Sequence, residues 1–190
     1  RAMPCGPESG AAARLAAGAS RRFGGPKMLA AVGGEPLVRR AARAYVEAGC
    51  AEVAVVVAPA ADEVAAALEG LGVLVAVNPR PEEGMLSSAQ AGLSALSSGC
   101  GRIALSPADL PDVTAPVLRR VLAALPPPSA GGVAVPTSDG KRGHPLVVAA
   151  SLVPRLLSWE SDRRLSDLLR EEDVPVVELP GFGPEVLRDV

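Results

Sequence analysis

One feature constrains the fold of this chain more than any other: short Val- and Ala-rich runs of strand length recur along it, separated by Ala/Leu/Arg segments with helical spacing. The runs are ARLAA (13–17), EVAVVVA (52–58), GVLVAVN (72–78), RIALSPA (102–108), GVAVPT (132–137), HPLVVA (144–149) and VPVVEL (174–179). Their apolar residues follow one another instead of alternating with polar ones, as in strands covered on both faces. Helices are expected at 36–48, 61–69, 85–97, 114–125 and, with an internal break, 150–170. Thr114 ahead of Ala115 and Pro116 is a helix start, because its hydroxyl suits a cap and proline suits the first turn. Strands alternating with helices predict an α/β domain. The 190 residues suffice for one substantial core, so 11–190 read as a single domain, 1–10 as a flexible leader outside it, and PPPSAGG (126–132) as a loop.

Bulk properties narrow the ligands. A net charge of −2 and a pI near 5.5 give no reason to expect wrapping of nucleic acid or docking on anionic lipid. Aromatics make up 2% of the chain, too few for base-stacking platforms. Cys5, Cys50 and Cys100 lack the paired spacing of a zinc or redox motif and are expected to have no chemical role, which favours a reduced, cytoplasmic setting. No stretch reaches the roughly 18 apolar residues a membrane span needs.

The first run leads into LAAGASRRFGGPK (15–27), where glycines allow backbone N–H groups close to an anion and Arg21, Arg22 and Lys27 supply charge. It is not a P-loop, because Gly25 is followed by Pro26 before Lys27 and Met28. GCGRIA (99–104) nominally matches the dinucleotide fingerprint but leads into a strand, whereas the fingerprint must follow one. The loop reads as a triphosphate cradle or as a solvated turn. In open α/β sheets ligands bind beyond the carboxyl ends of the strands. That rule gathers three stretches on one rim: this loop, NPRPEEGMLSS after the third run and SPADLPD after the fourth. Asp109 ends an apolar strand and is placed to hold Mg²⁺, or to cap a turn. Gly84 reads as a turn, and Ser87 and Ser88 begin a helix, where their hydroxyls bind a ligand or serve as a cap. His144, the single histidine, has no acidic partner in sequence and reads as structural or as a substrate contact, not as a base.

In order along the chain, LAAGASRRFGGPK, NPRPEEGMLSSAQAGL, SPADLP and GKRGHPLV resemble the motifs of the molybdenum-cofactor cytidylyltransferase type of nucleotidyltransferases, relatives of the guanylyltransferases of that cofactor. The resemblance implies a Rossmann-like three-layer α/β/α fold with a mostly parallel mixed sheet. It also implies transfer of CMP from CTP to the terminal phosphate of a molybdopterin-type acceptor, with Mg²⁺ as cofactor and release of pyrophosphate. Arg22, Lys27 and Asp109 would be catalytic. Leu15, Ala16, Ala17, Gly18, Ser20, Arg22, Gly24, Lys27, Asn78, Gly84 and Ser88 would bind the nucleotide, and His144 and Asp162 the acceptor. Asp109, joined by Asp189, would bind the metal. A molybdoenzyme or chaperone would receive the product. Ala17, where the guanosine-using branch more often has glycine, favours CTP.

The chain departs from the pattern in two places. SDRRLS (161–166) keeps Asp162 of a Gly-Asp-x-Gly-Ala-Arg segment but replaces both glycines and the arginine, and Arg14 occupies an apolar position of the first strand. The rivals are a GTP-using enzyme, an enzyme acting on another phosphorylated metabolite, and a non-catalytic carrier of nucleotide or pterin.

Overall fold

The computed structural model describes residues 6, 8–18, 27–97, 99–125 and 131–190. Its centre is a sheet that includes the mutually parallel strands β1 (Gly10–Leu15), β4 (Glu52–Val57), β5 (Leu74–Val77) and β6 (Arg102–Pro107). Three further strands, β7 (Val133–Ser138), β9 (Leu146–Ala149) and β10 (Val176–Leu179), extend it to the order β10-β7-β9-β6-β1-β4-β5, with the two-residue β8 (Lys141–Arg142) paired to β7. The pairs β1·β4, β1·β6, β4·β5 and β7·β10 are parallel, whereas β9 runs antiparallel to both β6 and β7. The α/β domain expected from the alternation is therefore present, and its sheet is mixed and mostly parallel, as the resemblance implies.

The layers follow from the pleat. Ala11, Ala13 and Leu15 face one core with α3 (Met85–Ala95) and α5 (Val153–Ser158), while Ala12 faces the other with α1 (Leu37–Glu47) and α4 (Ala115–Ala124). Both faces are covered, so β4 and β6 each carry four or five consecutive buried residues. β5 is different: it lies at an edge and leaves Leu74, Val75 and Val77 exposed. A short α2 (Asp62–Ala66) packs Val64 beside α1.

Three expectations need correction. β1 occupies 10–15, not 13–17, and Gly10 pairs with Arg102, so the strand begins inside the stretch taken for a leader. A small hairpin, β2 (Ala31–Val32) with β3 (Glu35–Pro36), was not foreseen; Gly33 and Gly34 turn it with φ of 63° and 87°. Two adjacent glycines between short strands are the composition such a two-residue turn requires. The Thr114 hydroxyl makes no cap bond, and its carbonyl instead accepts from Leu118 N–H. The region 150–170 is broken as expected, into α5 flanked by 3₁₀ turns at Ala150–Leu152 and Leu165–Arg170.

Candidate active site

The chain crosses from one side of the sheet to the other between β1 and β6, the switch point where open α/β sheets have their crevice. Leu15 and Pro107, the last residues of these strands, stand in register. Leu15 O accepts from Ala108 N–H at 3.0 Å, and Ala16 N–H donates to Val56 O at 2.8 Å. These bonds anchor both departing loops, so Gly18 and Asp109 open onto one cleft of about 300 Å³ lined also by Lys27, Met28, Pro81, Gly84, Met85 and Ser88. Six of the residues proposed from sequence for nucleotide or metal thus converge here. Ala16 and Ala17 lie just behind with buried side chains, offering at most backbone to a ligand.

Within the cleft Lys27 Nζ donates to Asp109 Oδ2 at 2.9 Å, with the side chains 14% and 27% exposed. A cation and a carboxylate separated by 82 residues are thus held in contact inside the cleft. Ser20, Arg21, Arg22 and Gly24 lie outside the described residues.

Asn78 does not open onto the cleft. It is 2% exposed; its Nδ2 donates to Ser87 Oγ (2.9 Å) and Ser88 Oγ (3.0 Å), and its Oδ1 accepts from Arg80 N–H (2.9 Å). Both of its amide hydrogens and one acceptor site of Oδ1 are spent within the protein, so it orients the turn leading into α3. Gly84, at the start of that helix, has φ 93° and ψ −158°, a region that side chains disfavour.

A second cavity of about 740 Å³ adjoins the first through Gly84 and Met85. His144 and Asp162, the two residues offered for the acceptor, both line it, with apolar walls from Leu86, Val135, Leu146, Leu165 and Leu169. Sequence reading missed its arginines. Arg142 pairs with Glu178, Arg170 with Asp167, and Arg163 with Glu171 while stacking on Trp159 at 3.9 Å. Arg164 and Asp162 enter no ion pair among the described residues. Only Arg142 and Glu178 bridge distant segments, 36 residues apart, whereas the other two pairs are local to 163–171. The His144 imidazole is pushed down to about 4, by burial first and by the positive charge of Arg14 second, with Asp109 acting the other way. It is neutral at physiological pH.

Asp189 is exposed, and Val190 N–H donates to Asp109 O at 3.1 Å, which brings the C-terminal segment to the strand end that carries Asp109. No group of three or more His, Cys, Asp and Glu side chains converges among the described residues. One or two carboxylates beside a phosphate site still suit Mg²⁺, which keeps most of its water and takes the rest of its ligands from substrate phosphates. The Cys50 thiol is pushed up to about 12 by burial, leaving no thiolate for chemistry. No helix among the described residues is long and apolar enough to cross a membrane.

Known proteins resemble the chain in sequence and in fold. The chain is 34% identical over 152 residues to nicotine blue oxidoreductase of Paenarthrobacter nicotinovorans, covering 77% of this chain and 74% of that protein. Its fold matches Rv0371c of Mycobacterium tuberculosis with a TM-score of 0.80 at 24% identity, over 92% of this chain and 89% of the other; that protein has also been solved in complex with manganese. It matches a nucleotidyl transferase of Methanothermobacter thermautotroptrophicus with a TM-score of 0.78 at 24% identity, over 95% and 91% of the two chains. The sequence pattern of the MobA-like NTP transferase domain matches residues 12–176. The chain belongs to that family and is an enzyme of the nucleotidyltransferase class.

Proposed function

We propose that this enzyme transfers CMP from CTP to the terminal phosphate of a molybdopterin-type acceptor, with Mg²⁺ as cofactor. One observation carries the reading: the Lys27–Asp109 pair sits in the switch-point cleft, and that cleft opens into a larger, partly apolar cavity through Gly84 and Met85. Two adjoining compartments suit two substrates. Ala17 supports CTP over GTP through the resemblance of its motif.

The acceptor's terminal phosphate is already ionised, so its oxygen attacks the α-phosphorus directly, the bond to the bridging α–β oxygen breaks and pyrophosphate leaves. No proton has to be removed, and the neutral His144 is not required as a base. Lys27 exchanges Asp109 for the phosphates and balances charge on the departing pyrophosphate, joined by Arg22, Ser20 and Gly24 of the same loop. Asp109, joined by Asp189 of the segment that bonds to its carbonyl, would hold Mg²⁺, which when bound neutralises the triphosphate and polarises its oxygens. Gly84 and Ser88 border the phosphates, and Asp162 and His144 face the acceptor. A molybdoenzyme or its chaperone would take the product.

The test is pyrophosphate release with each of the four nucleoside triphosphates, with and without molybdopterin. Release with CTP that depends on the acceptor is expected; a preference for GTP would move the assignment to a guanylyltransferase. Nucleotide binding without release under any condition would leave a carrier. The relationship to nicotine blue oxidoreductase favours a second reading, a redox enzyme on this fold, which predicts consumption of an electron donor with no pyrophosphate.

A further inference from the structure

Arg14 is among the largest fully buried side chains of the molecule, 1% exposed in the middle of an otherwise Ala-rich strand. Its Nη1 donates to Tyr45 Oη (2.9 Å) and Ser106 Oγ (2.8 Å), and the guanidinium lies over the Tyr45 ring at 4.6 Å. Both partners are neutral groups: burial pushes the Tyr45 phenol above its ordinary value, which keeps it protonated. Nε and Nη2 are buried without a hydrogen-bond partner among the described residues, and no carboxylate there pairs with the side chain. An arginine cannot shed its proton to escape this position. A buried, unbalanced charge destabilises a fold, and an apolar residue would fill β1 without that cost.

What the charge faces explains its presence. Arg14 stands in register with Ser106, and the next pair along the two strands, Leu15 and Pro107, forms the cleft wall. The guanidinium therefore ties β1 to β6 one residue below the switch-point crevice. Its charge reaches the adjoining cavity, where it acts with burial to keep His144 neutral. We propose that Arg14 is a positioning residue of the phosphate site: it fixes the spacing of β1 and β6 beneath the crevice and holds there a positive charge that the bound triphosphate, not a protein carboxylate, balances. The inference rests on the reading of the cleft as a phosphate site and concerns a residue that does not touch the ligand.

Inorganic tripolyphosphate with Mg²⁺ is the probe, because it carries the phosphates without committing to a base. Calorimetry on the wild type, Arg14→Met, Arg14→Gln and Arg14→Lys, with thermal melts of each, separates the possibilities. The neutral variants are expected to melt at or above the wild-type temperature while binding tripolyphosphate roughly tenfold more weakly. Arg14→Lys, which keeps the charge, is expected to stay within about threefold of wild type. Should the methionine variant fail to fold, glutamine retains a donor for Tyr45 and Ser106 and decides the matter. Equal affinity in wild type and a folded neutral variant would overturn the role of Arg14 alone, as would a lysine variant as weak as methionine. No binding by the wild type would overturn the phosphate-site reading itself.

Discussion

Lys27 and Asp109 form an ion pair that is only partly exposed, so each is strongly held by the other until a ligand offers something better. On the proposed mechanism Lys27 competes with the metal for one carboxylate oxygen and then serves the phosphates, which gives one substitution two effects of opposite sign. Lys27→Ala is expected to lower kcat by roughly 100-fold or more, the scale of one lost preorganised contact. The same variant, without nucleotide, should bind Mn²⁺ more tightly than wild type when titrated by electron paramagnetic resonance, whereas Asp109→Asn should bind it more weakly. An unchanged kcat would remove Lys27 from the mechanism. His144 makes a different prediction. Its imidazole accepts a proton near 6.5 in the unfolded chain but only at about 4 in the folded protein. The unfolded state therefore binds more protons in that window, and stability is complete above pH 6.5 and falls as the pH drops toward 4. Between pH 7 and 4.5 the wild type should lose about 2 to 3 kcal/mol more than His144→Gln, read from urea midpoints. Parallel losses in the two proteins would contradict the shift.

At the scale of elements, α3 brings its N-terminal turn to the cleft by packing very close to the sheet. Gly92 makes that approach possible: a Cβ there would lie 2.6 Å from Ala13 Cβ and 3.0 Å from Val56 Cγ2, atoms fixed by short side chains on strands. Gly92→Ala must push the helix away, and it is expected to cost about 1 to 3 kcal/mol by chemical denaturation. Because the displaced helix carries Gly84 and Ser88, affinity for the nucleotide should fall as well. A variant as stable as wild type would mean that the helix moves freely. The existence of α3 was readable from its period, and so was Gly84 as a turn. The spending of Asn78 on Ser87 and Ser88 was not, because a polar residue at a strand end looks the same whether it faces a ligand or its own loop.

For the whole molecule the decisive feature is the order β5-β4-β1-β6, in which the chain first builds outward from β1 and then returns to its other side. The return places the loops after β1 and β6 next to each other and unites residues from four separate segments in one cleft. A ligand that bridges these segments binds only the folded state, so the proposed CTP with Mg²⁺ should stabilise it, by about 2.7 kcal/mol when present at 100 times its dissociation constant. A melting temperature unmoved by saturating CTP would argue against CTP as the ligand.

Local chemistry was enough to find the strand and helix alternation, the glycine-rich loop, Asp109 at a strand end and the oddity of Arg14, because propensity, periodicity and breaking residues act over a few neighbours along the chain. Residue contacts that span the sheet were decided only by the tertiary structure: the Lys27–Asp109 pair, the burial that silences Asn78, the arginine pairs around the second cavity and the unbalanced charge beneath the crevice. Lys27, Arg14 and Arg142 meet partners 31 to 92 residues away, which only strand order and register bring within reach. Arg163, Arg170 and Asn78 choose among nearby side chains only once burial and turn geometry fix where each points.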